Sequence, residues 1–298
     1  MKTLDFIIIG AQKSGTTSLY RYLEAHPKIY MPPDKEAPFF SESEQLAKGW
    51  DWYLNEYFKG APGDTLWGKV TPQYMAVSQV PARIKAQIPS VKLIAILRNP
   101  IDRAFSHYRM VVRRGTEQRS FEGAVEQLLS PSTARAACEL QGSPEDETPF
   151  YLVWGEYGRI LGNYLQYFPL DQLKVVFLDD LEQRPQEVID TVVEFLGLPA
   201  AYTPPNLGKR YHRGGVRQRY PRLKSILMRT PFKWTWRQLP KRLRRAVRYW
   251  YDVYNVVPDE QAEVPAYVRE SLVQFYRADV NRLEELFGLR VPWPEFHG

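Results

Sequence analysis

Residues 6–20, FIIIGAQKSGTTSLY, decide the fold of this chain. The apolar run at 6–9 predicts a buried strand of a parallel sheet. A turn containing Gly10 and Gly15 follows, and the apolar spacing after Thr16 predicts a helix. This succession of strand, turn and helix is typical of phosphate sites, because backbone N–H groups and the positive end of the helix dipole converge on one anion. The stretch therefore predicts a phosphate-binding loop.

The lysine of this loop does not lie where a nucleotide triphosphatase has it. The Walker pattern has a lysine directly after its second glycine and then a hydroxyl residue for magnesium. Here Thr16 follows Gly15, and Lys13 lies inside the loop. The next strong strand, predicted over 91–97, ends at Arg98 instead of a carboxylate that would hold magnesium. The pattern favours an anion site without a metal and disfavours a kinase or an ATPase.

A second motif, LRNPIDRAFSHY at 97–108, completes a resemblance to a known family. Together with the loop around Lys13, it resembles the sulfotransferases that use 3′-phosphoadenosine 5′-phosphosulfate (PAPS). The similarity continues through further short matches, which are KEAPFF at 35–40, VTPQY at 70–74, YLQYFP at 164–169 and the end of the chain at 279–293. The Glu-x-x-Phe-Phe element is similar to the branch with the heparan sulfate and related bacterial enzymes, more than to the cytosolic aryl and steroid enzymes.

The order of elements and the resemblance agree on the fold class. Strands alternate with helical segments, which predicts a parallel sheet with helices on both faces. The resemblance implies that this is an α/β, P-loop-like, three-layer fold. No linker, repeat or low-complexity block divides residues 1–298, so we expect a single sulfotransferase domain.

The resemblance also implies the cofactor-binding residues. In that family the first motif binds the 5′-phosphosulfate, which here assigns Lys13, Ser14, Gly15, Thr16, Thr17 and Ser18. An Arg and a Ser eight residues later bind the 3′-phosphate, and here they are Arg98 and Ser106. Lys13 is expected to neutralise the charge that develops on the leaving phosphate oxygen. A basic turn that looks like the family's late cofactor loop adds Gly214, Gly215 and Arg217.

Transfer to a hydroxyl needs a base, because the acceptor loses its proton as its oxygen attacks sulfur. The resemblance of KEAPFF to the family's base-bearing motif assigns this role to Glu36, which we expect beside an apolar rim formed by Phe39 and Phe40. The cytosolic branch uses a histidine, and His212 in the basic turn is the rival candidate.

Lys69, which directly precedes the VTPQY match, is not assigned a catalytic role. Some heparan sulfate members have a lysine directly before Thr-Pro, but here that position is Val70, and Lys69 falls on the opposite face of the strand. The helical spacing after Pro100 places Ser106 on one face with Asp102 and Arg103.

Basic residues are concentrated in one block of the chain. The formal net charge is +6, and residues 209–248 contain fifteen Lys or Arg and no Asp or Glu. The segment 209–252 is also rich in aromatic residues, which predicts a surface for an anionic acceptor, an acidic carrier protein or a membrane. The alternative is a solvated basic face without a partner. No recognition motif for nucleic acid is present, so nucleic acid is not expected.

The remaining composition predicts a cytoplasmic enzyme. The single cysteine, Cys138, excludes an intramolecular disulfide and fits a reducing compartment. The N-terminus runs directly into the first strand, which leaves no room for a signal peptide, and no apolar stretch reaches the roughly 18 residues of a membrane span.

The leading interpretation is a metal-independent sulfotransferase that moves a sulfuryl group from PAPS to an acceptor hydroxyl. Two alternatives stay open at this point: a P-loop kinase or nucleotide hydrolase, and a non-catalytic scaffold that binds anions through the basic segment. The loops at 31–45 and 130–149 do not identify the acceptor.

Overall fold

The structure, a computed structural model, describes residues 3–133, 146–209, 211 and 263–297, together with the backbone of two short strands at 216–218 and 256–258. The central sheet consists of β1 (Phe6–Gly10), β2 (Ile29–Tyr30), β3 (Leu66–Val70), β4 (Lys92–Leu97) and β5 (Leu173–Phe177). These strands are parallel in the order β2-β3-β1-β4-β5. A separate antiparallel pair is formed by β6 (Val216–Gln218) and β7 (Val256–Pro258).

Alternate residues of the central strands enter two separate apolar layers. In β1, Ile7 and Ile9 belong to one layer, whereas Phe6 and Ile8 belong to the other. The side chains of β4 alternate in the same way. Because successive residues of a strand point to opposite faces, both faces of the sheet are covered. This arrangement confirms the predicted α/β architecture.

Helices complete both layers. Their bounds are α1 Thr16–Glu24, α2 Ser43–Leu46, α3 Trp50–Tyr57, α4 Val80–Gln87, α5 Pro100–Arg114, α6 Phe121–Leu128, α7 Tyr157–Tyr164, α8 Leu178–Gln183, α9 Pro185–Phe195 and α10 Ala266–Phe287. Helices α1 and α9 pack on the face that carries Phe6 and Ile8. Helices α4, α5, α7 and α10 pack on the opposite face. None of the described helices is both long and apolar enough to cross a membrane.

The topology brings two loops together at one edge of the sheet. β1 pairs with β3 on one side and with β4 on the other, so the segments that follow β1 and β4 leave the sheet side by side. The backbone N–H of Ala11 donates to the carbonyl of Ile96 at 2.8 Å and ties the first loop to β4. Open α/β sheets bind ligands at this position, beyond the carboxyl ends of neighbouring strands.

Helix α5 begins abruptly after β4, for reasons that lie in the sequence. The side chain of Asn99 accepts from the backbone N–H of Ile101 at 3.0 Å and of Asp102 at 3.4 Å. Pro100 fills the first helical position, where no N–H partner is needed. The cap therefore fixes the direction in which α5 leaves the sheet.

Most sequence-predicted elements are present with closely similar bounds. The strands predicted at 6–9 and 91–97 match β1 and β4, and the helices predicted after Thr16 and Pro100 match α1 and α5. The basic segment 209–252 lies outside the described residues, except for residues 209 and 211 and the backbone of β6.

Candidate active site

The loop between β1 and α1 has the backbone conformation of an anion site. Lys13 has φ 72° and Gly15 has φ 90°, both in the left-handed region. A Cβ atom on Gly15 would lie 2.6 Å from Cδ1 of Leu178, so glycine suits this position for space as well as for conformation. No side chain in the described part of the chain caps the first turn of α1. Its N–H groups can therefore bind a phosphate.

A cavity of about 960 Å³ opens above this loop. The predicted cofactor residues on its wall are Lys13, Gly15, Thr16, Thr17, Ser18, Arg98 and Ser106. Ser14 is fully buried and is not part of the wall, so its side chain lies beneath the loop. Gly214, Gly215 and the rival base His212 lie outside the described residues, as does the side chain of Arg217.

Several cations surround Lys13. Burial, followed by the charges of Arg113, Arg98 and Arg114, lowers the pKa of Lys13 to about 8, and Glu147 acts in the opposite direction. Such a cluster favours a ligand with several negative charges, which would restore the charged form of the lysine. The donor set, which combines cations with the first-turn N–H groups of a helix, fits a phosphosulfate.

Three arginines of α5 that follow Ser106 were not singled out from the sequence. Arg109, Arg113 and Arg114 line the same cavity as Ser106. The sequence contained a signal for two of them, because Arg109 and Arg113, three and seven residues after Ser106, lie on the same face of a helix as that serine. The expected placement of Arg103 on this face was wrong. Arg103 is fully buried, and its guanidinium donates to the backbone carbonyl of Tyr151.

Glu36 lies on the cavity wall between two polar neighbours. Its Oε1 is 3.2 Å from Nζ of Lys35, and its Oε2 accepts from Nε2 of Gln73 at 3.3 Å. The expected apolar rim is absent at this point, because Phe39 and Phe40 turn into the core and are at most 2% exposed. The side chain of Glu36 is 43% exposed, so an acceptor can reach it from the cavity.

Lys69 supports the Glu36 loop from below. Its side chain is buried, and Nζ donates to the backbone carbonyl of Asp34 at 2.5 Å and lies 3.9 Å from the centre of the Tyr57 ring. Burial lowers the pKa of Lys69 to about 7. Lys69 does not line the cavity, in agreement with the expectation that it lies on the opposite face of β3.

A buried pair behind the phosphate loop fixes one wall of the cavity. Nε2 of His107 lies 2.7 Å from Oε2 of Glu147, and Nη1 of Arg114 donates to Oε1 of Glu147 at 2.9 Å. Burial lowers the pKa of His107 to about 4. Burial acts to raise the pKa of Glu147, but the hydrogen bonds from His107 and Arg114 outweigh it and lower that pKa to about 2. Both shifts favour the neutral imidazole of His107 and the ionised carboxylate of Glu147.

Comparison with known proteins decides the family. The family model of the sulfotransferase domain matches residues 3–211. This chain belongs to the sulfotransferase domain family. The match confirms the resemblance seen in the loop around Lys13 and in the motif around Arg98. It does not favour the two alternative interpretations, a P-loop kinase or nucleotide hydrolase and a non-catalytic scaffold.

Relatives of this sulfotransferase-family chain include enzymes of heparan sulfate. Mouse heparan sulfate glucosamine 3-O-sulfotransferase 5 is 32% identical over 210 residues, which are 70% of this chain and 57% of that protein. Human bifunctional heparan sulfate N-deacetylase/N-sulfotransferase 2 is 32% identical over 210 residues, 66% of this chain and 23% of that protein. The chain thus spans little more than half the length of the first relative and about a quarter of the second.

A solved structure extends the likeness to the whole chain. The crystal structure of a sulfotransferase from Alicyclobacillus acidocaldarius matches with a TM-score of 0.68 at 25% identity and covers 100% of both chains. The α/β fold predicted from the sequence is therefore that of a known bacterial sulfotransferase.

Proposed function

We propose that this protein is a sulfotransferase that moves a sulfuryl group from PAPS to an acceptor hydroxyl, within a single domain. The observation that carries the proposal is one cavity lined by the phosphate loop, by Arg98 with Ser106, and by the carboxylate of Glu36. These are the parts that a donor with two phosphate positions and an acceptor that loses a proton require.

The cationic wall supports binding of PAPS. The first-turn N–H groups of α1 and the ammonium of Lys13 would hold the 5′-phosphosulfate. Arg98 and Ser106, at the end of the adjacent strand, would hold the 3′-phosphate. A volume of about 960 Å³ is sufficient for this nucleotide together with part of an acceptor.

The residues divide the chemistry between the two ends of the cavity. When bound, PAPS supplies an activated sulfuryl group. Glu36 accepts the proton of the acceptor hydroxyl while the acceptor oxygen bonds to sulfur. Lys13 stabilises the negative charge that appears on the 5′-phosphate oxygen as the sulfur–oxygen bond breaks. None of these roles requires a metal ion.

The acceptor class is a further part of the proposal. The relatives named above act on heparan sulfate, so a glycan hydroxyl is the first acceptor to test. A carrier-bound chain, a lipid head group or a small natural product would follow in the same screen. Mass spectrometry after incubation with PAPS would detect the sulfated product among these candidates.

The donor site is tested by calorimetric titration with 3′-phosphoadenosine 5′-phosphate (PAP), without magnesium. We expect tight binding, and Arg98→Ala should weaken it about 10- to 100-fold, the scale of a lost charged hydrogen bond. The matched control is Arg184→Ala, because the Arg184 side chain is 56% exposed and lies outside the cavity. Absence of PAP binding in a protein that binds ATP with magnesium would overturn the proposal.

The base is tested by Glu36→Gln. We expect kcat to fall by about 10² or more, the scale of a lost general base, whereas the Kd for PAP stays within about twofold. Glu44→Gln is the control, because Glu44 lies in α2 and does not line the cavity. Near-normal turnover in Glu36→Gln, together with loss of turnover in His212→Ala, would assign the base to His212 instead.

A further inference from the structure

One ammonium group joins the phosphate loop to the proposed base. Nζ of Lys35 lies 3.0 Å from Oγ1 of Thr17 and 3.4 Å from Oγ1 of Thr16. The same atom lies 3.2 Å from Oε1 of Glu36. The Lys35 side chain is 20% exposed and lines the cavity. Lys35 is therefore not an ordinary surface lysine of a loop.

The backbone on both sides of Lys35 is held in place. On the preceding side, buried Lys69 donates to the carbonyl of Asp34. On the following side, the N–H and carbonyl of Ala37 bond with Oγ1 of Thr71 at 3.2 and 3.1 Å. These contacts fix the point from which the Lys35 side chain enters the cavity, so the backbone at this point is already ordered before a ligand binds.

The position of this ammonium has a chemical consequence, which rests on the proposed function. The transferred group passes from the phosphate, held at the first turn of α1, to the acceptor beside Glu36. Lys35 contacts the residues at both ends of this path. An ammonium provides three donors and no acceptor, which suits the oxygens of a sulfuryl group that carries negative charge.

We propose that Lys35 is a catalytic residue that donates hydrogen bonds to the sulfuryl group during transfer. The acceptor oxygen bonds to sulfur, and the bond between sulfur and the 5′-phosphate oxygen breaks. The electron pair of that bond stays on the phosphate oxygen, and the acceptor proton goes to Glu36. Lys35 keeps its proton and stabilises charge on the oxygens of the sulfuryl group, whereas Lys13 stabilises charge on the phosphate.

This division of roles separates Lys35 from Lys13 by experiment. PAPS and PAP share both phosphates, but only PAPS carries the sulfuryl group. Replacement of Lys35 by an uncharged residue should therefore weaken binding of PAPS and spare binding of PAP. Replacement of Lys13 should weaken binding of both.

The test compares Lys35→Met with the wild type in calorimetric titrations with PAPS and with PAP. We expect the Kd for PAPS to rise about tenfold, as for one lost charged hydrogen bond, and the Kd for PAP to stay within about twofold. With an acceptor that the wild type sulfates, kcat should fall about 10²- to 10³-fold, the scale of one lost transition-state donor. Lys35→Arg keeps the charge and should recover at least about tenfold of this loss.

Lys28→Met is the matched control, because the Lys28 side chain is 58% exposed and pairs with Asp64 on the surface. It should change neither Kd. Equal weakening of PAPS and PAP in Lys35→Met would overturn the inference, as would an unchanged Kd for PAPS. A wild type that binds neither nucleotide would instead refute the proposed function itself. Thermal unfolding of Lys35→Arg shows whether the site tolerates substitution at this position.

Discussion

Raising the pH from 7 to 9 should weaken PAP binding by about tenfold, because Lys13 of the free protein loses its proton. The lysine lies in a cationic environment, where burial and then Arg113, Arg98 and Arg114 lower its pKa to about 8. A bound phosphate reverses the balance of charge around Nζ and raises the pKa again. Binding of PAP is therefore coupled to the uptake of a proton above pH 8.

The size of this change in PAP affinity follows from the pKa of about 8 that Lys13 has in the free protein. At pH 7 about nine-tenths of the Lys13 side chains are protonated, and at pH 9 about one-tenth are, so the competent fraction falls about tenfold. This corresponds to about 1.4 kcal/mol of binding free energy. The phosphates of PAP titrate near pH 6, so their charge stays constant over this interval.

Calorimetric titration with PAP at pH 7, 8 and 9 and constant ionic strength measures the effect. Two buffers with different ionisation enthalpies would report the proton uptake, which should approach about one proton per PAP at pH 9. Lys13→Arg is the control, because a guanidinium stays charged throughout this range and should give a flat profile. A flat profile in the wild type, or the same slope in Lys13→Arg, would show that Lys13 is not the group that titrates on PAP binding.

Two further predictions concern the supports of the site. Gly15→Ala should lower the free energy of unfolding by about 1–2 kcal/mol, the cost of a left-handed conformation, and should also weaken PAP binding. The control is Gly115→Ala, because Gly115 has φ 83° and no atom lies within 4 Å of the added Cβ. This control should lower stability and leave PAP binding unchanged. Equal effects of the two variants on PAP binding would contradict this assignment. Lys69 has a pKa of about 7 in the folded protein, whereas its ordinary pKa is 10.5. Between these two pH values the unfolded chain binds more protons than the folded chain, so the free energy of unfolding should rise with pH. In Lys69→Met, the free energy of unfolding measured with urea should rise between pH 7 and 9 by about 2 kcal/mol less than in the wild type. An equal rise in both proteins would show that Lys69 stays charged in the fold.

The loop between β1 and α1 could be predicted because its determinants are local. The apolar run of β1, Gly15 in a left-handed conformation and the start of α1 lie within a short stretch of chain. Arg98 and Ser106 were predictable for the same reason, because a strand end and two helical turns fix their separation. That the two motifs meet follows from the parallel arrangement of β1 and β4, which the alternation of strands and helices predicts.

The surroundings of Glu36 were not predictable in the same way. The KEAPFF motif predicted an apolar rim around Glu36. In the structure, Phe39 and Phe40 pack into the core. The neighbours of the Glu36 carboxylate are Lys35 and Gln73. A phenylalanine shows that something apolar lies nearby, but its residue type does not show in which direction. The path of an irregular loop depends on anchors such as Lys69 and Thr71, which come from another part of the chain.

The sequence by itself determined the fold class, the loop between β1 and α1 and the separation of Arg98 from Ser106, because periodicity and turn residues act over a few positions. Only the tertiary structure decided that Lys35 contacts Thr16 and Thr17, and that His107 pairs with Glu147. These partners are 18 to 40 residues apart in the chain. Their meeting depends on how loops pack over the edge of the sheet, and local sequence patterns do not encode that packing.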